Sequence, residues 1–377
     1  MRSSLFIILL ASLLFSCQSR QQIILEEMTG FPNAESGIEQ GVSACFAGIL
    51  DGYLVMAGGC NFPEVPAADG GPKRYYKGIY AARLTQSRTL DWTKVGELPY
   101  EVAYGATISA TDKLLIIGGN NTSESFSSVY SLTWADHSHT TVRIDDFIDL
   151  PYPLDNMAGC LIGSNVYIAG GNKDGVPCNE VLRLSLQEMD KGWEMLPSFP
   201  GQARIQPVCG GIGSDFYLWG GFDLKTKTLD VDGFRFDEEH RQWKPVSGPK
   251  DTHGEPLFTG GGVAVSSDSL HVLIVGGVHK DVFMTGMLQS DSLYMRHPIS
   301  WYRFNPYIVQ YDGQQWEVLT DSQGLTARAG AALVNDHGVL YLVGGELKPG
   351  IRTNQVVRIK ERGIALPPSH KLNFKRK

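Results

Sequence analysis

Val339–Gly345 reads VLYLVGG, a short apolar run that ends in two glycines, and this pattern decides the fold because the chain repeats it. Runs of the same kind end in a Gly pair six times along the chain. With their glycines they occupy residues 53–59, 113–119, 165–171, 215–221, 271–277 and 339–345. Such runs lack polar alternation, so each predicts a strand that is buried on both faces. Their recurrence predicts an array of similar sheets.

Three other segments recur in phase with these runs. A segment rich in Gly and Ala precedes each run, as in Ala103–Ile108, and small residues suit a place where backbones crowd around an axis. A third strand follows each Gly pair, as in Tyr307–Tyr311, and a fourth often carries a tryptophan, such as Trp92 or Trp316. This order resembles the kelch repeat. It predicts an all-β fold, a six-bladed kelch-type β-propeller.

The two ends of the repeat array complete each other. The last repeat stops after its third strand, at residues 355–360, and lacks a tryptophan strand. Residues 23–32 form an orphan segment with the pattern of a fourth strand. We therefore expect the N-terminal strand to close the last blade, which leaves no long sheet edge exposed. No linker interrupts the array, so residues 23–363 are predicted to form a single propeller, followed by a basic C-terminal tail at 364–377.

The N-terminus has the pattern of an export signal. Arg2 precedes a short apolar core that runs into Leu14–Cys17 (LFSC), which resembles the lipobox of bacterial lipoproteins. We expect residues 1–16 to be a lipoprotein signal peptide, Cys17 to be lipidated and residues 17–22 to form a tether. A plain secretory signal is the alternative. The lipobox predicts an exported lipoprotein of the periplasm or cell envelope in a Gram-negative-type bacterium, attached to the membrane only through its lipid.

Composition bears on partners and cofactors. The formal net charge of −7 argues against a nucleic-acid partner, because such proteins are basic. Five cysteines follow Cys17, an odd number without the spacing of zinc ligands. Cys45, Cys160 and Cys209 fall at similar points in three repeats, so we expect these three to be small buried side chains. We expect neither a metal nor a cofactor. The sequence leaves the oligomeric state open.

The sharpest candidate site is in the last repeat. Gly344–Thr353 reads GGELKPGIRT, which places Glu346 and Arg352 six residues apart across a Lys-Pro-Gly turn. Such a turn folds the chain back, so we expect the carboxylate and the guanidinium to lie at one rim of the propeller. The alternative is a solvated surface pair that contributes little.

This segment resembles the N-acetylneuraminate mutarotases, also called sialic acid epimerases, which are kelch propellers. The family has a cyclically permuted branch, and this chain resembles it because its Glu-containing repeat comes last instead of in the middle. The resemblance extends over nearly all of the chain after the signal. Its further matches are Phe46–Ile49 with Ala57–Gly59 and Phe62, Gly276–Phe283 with Phe304–Asn305, Tyr311–Asp312 and Gln315–Trp316, and Val166–Tyr167 with Trp193, Phe199–Gly201 and Arg204.

The resemblance implies a small-molecule sugar substrate, sialic acid, whose α and β anomers interconvert by acid–base ring opening and closure. This chemistry requires no cofactor. Glu346 takes the position of the family's proton acceptor and is the expected base. Arg352 is expected to bind the substrate carboxylate, since a planar guanidinium matches a carboxylate bidentately. His279 is the expected acid partner.

Other polar residues fall at points that favour the central channel. Arg204 and Arg328 begin inner-type strands, so each is a candidate second contact to the substrate anion, with a salt bridge between blades as the alternative. Asn61, Asn120 and Asn172 follow Gly pairs and are expected to bind sugar hydroxyls. Asn after Gly is equally a turn residue, which is the alternative for these three.

Two questions stay open at this point. The insertion at residues 278–303 is rich in aromatic and His side chains, so it either stacks on sugar above the channel or covers a blade edge. The whole protein is either a mutarotase or a non-catalytic propeller that binds glycans or protein. The Glu346–Arg352 pair favours catalysis. A sialidase is disfavoured, because the chain lacks the recurring Ser-x-Asp-x-Gly-x-x-Trp box of those propellers.

Overall fold

Each of the six predicted repeats forms one antiparallel sheet of four strands in the computed structural model, which describes residues 22–361. The predicted signal peptide, Cys17, most of the tether and the basic tail lie outside these residues. The strands of each blade are given from the innermost to the outermost. Blade 1 contains Phe46–Leu50, Tyr53–Ala57, Gly78–Arg83 and Thr93–Glu97, and blade 2 contains Ala106–Ser109, Leu114–Ile117, Val129–Trp134 and Val142–Asp146. Blade 3 contains Ala158–Ile162, Asn165–Ala169, Val181–Ser185 and Glu194–Leu196, and blade 4 contains Val208–Ile212, Asp215–Trp219, Gly233–Asp237 and Gln242–Val246. Blade 5 contains Val263–Ser266, Val272–Val275, Tyr307–Tyr311 and Trp316–Asp321, and blade 6 contains Ala332–Asp336, Val339–Val343, Val356–Glu361 and Ile23–Met28.

The second strand of every blade is the apolar run that the sequence repeats. In blade 2 all four residues of Leu114–Ile117 are buried, because the blade packs between two neighbours. Leu114 and Ile116 pack with Val55 and Phe46 of blade 1, while Leu115 and Ile117 face blade 3. Burial on both faces thus explains why these strands lack polar alternation. The core consists of such layers between successive blades.

The Gly pairs join each blade to the next. Both glycines of every pair have a positive φ, which L side chains rarely adopt. The N–H of Gly345 donates to the carbonyl of Val42 at 2.8 Å, and a Cβ added to Gly344 would lie 2.4 Å from that same carbonyl oxygen. The N–H of Gly59 likewise donates to Val102 of blade 2 at 2.9 Å. The pairs therefore recur because two backbones meet there without room for a side chain.

A closed circle of main-chain hydrogen bonds proves that the ring is complete. One residue shortly before each inner strand has a φ between 51° and 72°, and its N–H donates to the carbonyl of the matching residue in the preceding blade at 2.6–3.4 Å. We call these residues the backbone circle: Ala44, Tyr104, Asn156, Gln206, Gly261 and Gly330. Because Ala44 donates to Gly330, the sixth blade joins the first.

The circle also corrects the predicted start of the inner strands. The Gly- and Ala-rich segment Ala103–Ile108 of blade 2 was expected to be a small-residue strand with a turn, and the strand itself covers Ala106–Ser109. In blade 6 the expected start was Arg328, and the strand begins at Ala332. The left-handed residue of the circle lies in between, and a left-handed residue cannot continue a strand.

The N-terminal strand closes blade 6, as predicted. Ile23–Met28 pairs antiparallel with Val356–Glu361. Across this pairing, Glu26 accepts a hydrogen bond from Arg358 Nε at 2.7 Å and lies 3.1 Å from Lys360 Nζ. Arg358 also donates to the carbonyls of residues 85–87 in blade 1. The two chain ends are thus held by a buried ion pair as well as by the sheet.

The insertion of blade 5 lies against its neighbours at the rim. It contains the helices Lys280–Met287 and Ile299–Tyr302. Lys348 donates to the carbonyl of His297 at 2.6 Å, and Arg296 lies 3.0 Å from Asp69 of blade 1. These contacts place the insertion beside the hairpin of blade 6 and a loop of blade 1, and both interpretations of its role stay predictions. The other short elements are the 3-10 turns Ile38–Gln40, Ala67–Asp69, Met189–Lys191 and Tyr294–Arg296, the bridge strand Leu154–Asp155, and the strands Cys60–Asn61, Arg74–Tyr75, Asn172–Lys173, Val176–Pro177, Phe222–Asp223, Thr228–Leu229, Glu346–Lys348 and Ile351–Arg352.

Two smaller observations complete the fold. The five described cysteines are free thiols, four buried and Cys178 half-buried, which matches the expectation from the sequence. Between residues 22 and 361, no helix has the length and apolarity needed to cross a bilayer.

Candidate active site

The residue that follows each Gly pair lies at the mouth of the central channel. The main chain of each of these six residues is hydrogen-bonded to a residue that comes directly before a member of the backbone circle. Glu346, for example, pairs with Ala329, which precedes Gly330, and Asn120 pairs with Ala103, which precedes Tyr104. We call these six residues the mouth ring: Cys60, Asn120, Asn172, Phe222, Val278 and Glu346. The channel below has a cavity volume of about 190 Å³ and is lined mainly by small side chains.

The mouth ring has two different sides. Blades 4 and 5 contribute Phe222 and Val278, which are buried in an apolar cluster with residues of the insertion. The other side is polar: blade 6 contributes the carboxylate of Glu346, blade 1 contributes the thiol of Cys60, and blades 2 and 3 contribute two amides. Glu346 is the one charged member, so a polar ligand at the mouth would be bound on its side.

Glu346 and Arg352 form an ion pair at the base of a short hairpin. The two residues are opposite each other in the pairing of Glu346–Lys348 with Ile351–Arg352, and directly opposite side chains lie on the same face of a sheet. The Glu346 side chain is 23% exposed and that of Arg352 is 5% exposed. The Lys-Pro-Gly turn therefore brings both groups to one rim, and the carboxylate is the more accessible of the two.

Lys73 and Tyr104 belong to the same site, although sequence reasoning did not select them. Lys73 Nζ donates to Tyr104 Oη at 2.9 Å and lies 4.8 Å from the centre of that ring. Phe62 connects this pair to the hairpin, because its ring lies 6.0 Å from Lys73 Nζ and 5.4 Å from the Arg352 guanidinium. The one signal in the sequence was the long segment between the Gly pair of blade 1 and its third strand, which contains Lys73.

Burial shifts the pKa of the lysine and of the two tyrosines in this site. Burial lowers the pKa of Lys73, and the nearby Arg352 lowers it further. Burial raises the pKa of Tyr104 well above its usual range and that of Tyr75 to about 12. Both phenols are therefore neutral proton donors at physiological pH. The charge of Arg352 lowers the pKa of all three residues.

A buried carboxylate organises the amide side of the mouth. Asp155 accepts hydrogen bonds from Asn156 Nδ2 at 2.6 Å and from Asn172 Nδ2 at 2.9 Å. Gln206 extends this network by donating to Asn156 Oδ1 at 2.9 Å. Asn172, expected to bind hydroxyls, thus lies at the mouth with its amide nitrogen already engaged. Asn120 lies beside it in the ring, and its Oδ1 is buried with no partner among the described residues.

Asn61 is not available to a ligand. Its Nδ2 donates to the carbonyls of Gly37 and Gly41 at 2.7 and 2.9 Å, and its Oδ1 accepts from the Tyr76 hydroxyl at 2.9 Å. The side chain is buried. Asn61 lies one residue beyond the mouth ring, and successive side chains of a strand point to opposite faces. The expectation that it binds hydroxyls is therefore not supported.

Arg204 and Arg328 are also structural rather than exposed to the channel. Each is 1% exposed, and each donates through Nη1 to the carbonyl of the first glycine of its own blade's pair, at 3.0 and 2.9 Å. Arg204 is further paired with Asp230 at 3.0 Å. Burial lowers the pKa of Arg328 to about 10. The alternative expected from the sequence was a salt bridge between blades. Arg204 does form a structural ion pair, but within one blade, whereas Arg328 bonds mainly to main-chain carbonyls.

His279 stands apart from the Glu346–Arg352 pair. It precedes the helix Lys280–Met287, and its Nδ1 is buried without a partner among the described residues. Burial lowers its pKa, and Arg303 lowers it further. The structure gives His279 no contact with Glu346, so nothing in the geometry supports it as the acid. Residues 22–361 also contain no group of three or more His, Cys, Asp or Glu side chains suited to a metal.

Comparisons with known proteins place the chain in a family. The N-acetylneuraminate epimerase family profile matches residues 16–141 and 147–367. N-acetylneuraminate epimerase of Salmonella enteritidis PT4 is 27% identical over 227 residues, and that of Yersinia pestis strain Pestoides F is 29% identical over 236 residues. In both cases the match covers 56% of this chain and 57% of the relative. The relative in Pasteurella multocida is 28% identical over 227 residues, or 54% of this chain and 56% of its own length. The chain thus spans just over half the length of these relatives, while the profile covers most of the chain, and the protein belongs to the N-acetylneuraminate epimerase family.

Proposed function

We propose that the protein is a sialic acid mutarotase, which interconverts the α and β anomers of N-acetylneuraminate. The observation that carries the proposal is the Glu346–Arg352 ion pair at the channel mouth. A carboxylate that is partly exposed and held by a nearly buried guanidinium is a positioned base. A binding module would not require such a base.

The chemistry needs one base and one acid. Sialic acid is a cyclic hemiketal that carries a carboxylate on its anomeric carbon, and its anomers exchange when the ring opens and closes on the other carbonyl face. Glu346 takes the proton of the anomeric hydroxyl, while an acid protonates the ring oxygen. Arg352 holds Glu346 in place and offers positive charge to the substrate carboxylate.

The two sides of the mouth suit the remainder of the sugar. Asn120 and Asn172 lie on the polar side, where amides pair with hydroxyls and with the acetamido group. Phe222 and Val278 supply an apolar side for the methyl group and the sugar's C–H faces. In this proposal Asn120 and Asn172 contact the substrate, whereas Arg204, Arg328 and Asn61 have structural roles only.

A circular permutation accounts for the limited coverage of the relatives. A linear alignment follows only one of the two portions into which a permuted chain is divided, and each relative is matched over little more than half of its length. A closed propeller tolerates such a cut between any two blades. Export as a lipoprotein through Cys17 remains part of the proposal, since the substrate would then be met in the cell envelope.

The deciding experiment is proton NMR of freshly released α-sialic acid with and without the protein. We expect a catalytic amount of protein to accelerate the approach to anomeric equilibrium. An unchanged rate, together with saturation transfer from protein to sugar, would instead identify a glycan-binding propeller without turnover. The match to the family would remain in that case, but the proposed activity would not.

A further inference from the structure

The proposed reaction needs an acid, and Tyr104 is placed to provide it. Tyr104 belongs to the backbone circle and lines the channel cavity at its mouth. In the circle, Ala44 of blade 1 is bonded to Gly330 of blade 6 on one side and to Tyr104 on the other. Tyr104 and the Glu346 hairpin therefore flank blade 1 from two sides, with Phe62 between them. A ligand held over blade 1 has the base on one side and the phenol on the other.

The hydroxyl of Tyr104 has one hydrogen bond left to make. Its oxygen accepts from Lys73 Nζ at 2.9 Å and from the Cys60 thiol at 3.6 Å. A phenol oxygen accepts two hydrogen bonds and donates one. The bond from Lys73 leaves the phenol proton free, and the Cys60 sulfur 3.6 Å away is a weak acceptor, so a ligand oxygen at the mouth would be the stronger acceptor for it.

The backbone of Tyr104 is held rigidly by the backbone circle. Its φ is +63°, a left-handed conformation that is uncommon for a residue with a bulky side chain. The conformation is fixed by hydrogen bonds on both sides, from its own N–H to Ala44 at 3.0 Å and from Asn156 to its carbonyl at 2.7 Å. The other five members of the circle share this left-handed conformation, so it belongs to the frame and fixes the point from which the Tyr104 side chain extends.

We propose that Tyr104 is the general acid of the mutarotase and that Lys73 positions it; this inference rests on the proposed function. In ring opening, Glu346 removes the proton of the anomeric hydroxyl, and that oxygen forms a C=O bond. The bond from the anomeric carbon to the ring oxygen breaks, and its electron pair stays on the ring oxygen, which takes the Tyr104 proton. Lys73 stabilises the resulting phenolate through its existing hydrogen bond.

Closure reverses these transfers on the other face. After rotation about the bond next to the carbonyl carbon, the freed hydroxyl returns its proton to Tyr104 while its oxygen attacks that carbon. The carbonyl oxygen takes the proton from Glu346. Both side chains end in their starting states, so the cycle balances without a cofactor.

The test compares Tyr104→Phe with Tyr53→Phe. Tyr53 begins the second strand of blade 1, at the end remote from its Gly pair, so its hydroxyl is a strand's length from the mouth. We expect Tyr104→Phe to lower the catalysed anomerisation rate about 10²-fold, the usual contribution of a general acid, with sialic acid binding retained and Tyr53→Phe unaffected. If the wild type is active and Tyr104→Phe has the same rate, Tyr104 is not the acid, while the proposed function stands. An inactive wild type overturns the proposed function and this inference with it.

Lys73 supplies an independent measurement. We expect Lys73→Met to lower kcat about tenfold with little change in KM, and Lys73→Arg to restore much of kcat because it keeps a cationic donor near the phenol. A purely structural lysine would not show this split. If Tyr104→Phe fails to fold by circular dichroism, the Lys73 pair decides: a Lys73→Met kcat equal to the wild type overturns the proposal.

Discussion

Blades 4 and 6 carry similar hairpins on the same frame, yet the residues at the base of each hairpin differ completely. In both blades a buried arginine donates to the first glycine of the pair, Arg204 to Gly220 and Arg328 to Gly344. At the base of the blade 4 hairpin, Phe222 is opposite Leu229. At the base of the blade 6 hairpin, Glu346 is opposite Arg352.

The difference separates the frame from the chemistry. A guanidinium that occurs in two blades with the same main-chain partner holds the blade together, whichever residues lie at the mouth. The ion pair occurs at the mouth ring in blade 6, where blade 4 has an apolar contact. The arginine that matters for the reaction is therefore Arg352, and the comparison can be tested at each of these positions.

The largest expected effect is on activity, from Glu346→Gln. The amide keeps the size of the side chain but cannot act as the base, so we expect the anomerisation rate to fall by about 10²- to 10⁴-fold. The matched change in blade 4 is Asp223→Asn, which also converts a carboxylate near a hairpin base to an amide. It should leave the NMR rate unchanged. A Glu346→Gln variant that folds and keeps the full rate would contradict the assigned base.

Arg204→Met and Arg328→Met should act on stability instead. Each leaves buried carbonyls without a donor, and Arg204→Met also leaves Asp230 without its partner. We expect a loss of about 3 kcal/mol in the free energy of unfolding, measured by urea titration. Below the unfolding transition, the rate per folded molecule should match the wild type. A rate lost in a fully folded Arg328→Met variant would return this residue to the site.

Arg352→Lys should have a smaller and different effect. Lysine keeps the charge but loses the planar fork that can hold Glu346 and a substrate carboxylate together. We expect kcat/KM to fall about tenfold, largely through KM, in the same NMR assay across a range of sialic acid concentrations. Equal KM values for the variant and the wild type would mean that Arg352 acts on Glu346 alone.

The last expected effect concerns how blade 6 is completed. Blade 4 is one continuous stretch, whereas blade 6 takes its outer strand from the N-terminus and holds it through Glu26. Burial opposes ionisation, but the bonds from Arg358 and Lys360 outweigh it and lower the pKa of Glu26. This contribution to stability is therefore present above the usual glutamate range and is lost as the pH falls through the lowered pKa. We expect Glu26→Gln to cost about 1–3 kcal/mol at pH 7 and less at pH 3, measured by thermal unfolding. An equal cost at both pH values would argue against the ion pair.

Much of the frame follows from local sequence. Asp215–Trp219 and Val339–Val343 were predicted with their observed bounds, because burial between two neighbouring blades selects continuous apolar runs. The closing strand was predicted from the missing fourth strand of the last repeat. The Glu346–Arg352 pairing followed from a short turn, which fixes the geometry between residues close in sequence.

The remainder of the site depends on contacts between blades. Lys73 and Tyr104 lie 31 residues apart and meet only because the circle sets blade 2 beside blade 1. The interpretation of Asn61 was wrong because a shift of one residue reverses the face of a strand. Arg204 and Arg328 were selected for their charge, which cannot distinguish an exposed guanidinium from one bonded to carbonyls.

The backbone circle has a consequence for how such proteins diversify. Its six hydrogen bonds join main-chain groups alone, so the side chains around the channel can change without breaking them. Substitutions in the mouth ring can therefore change the chemistry at the channel while the backbone circle keeps its hydrogen bonds. The circle is therefore the constant part of the frame, and the residues after the six Gly pairs are the positions that can vary.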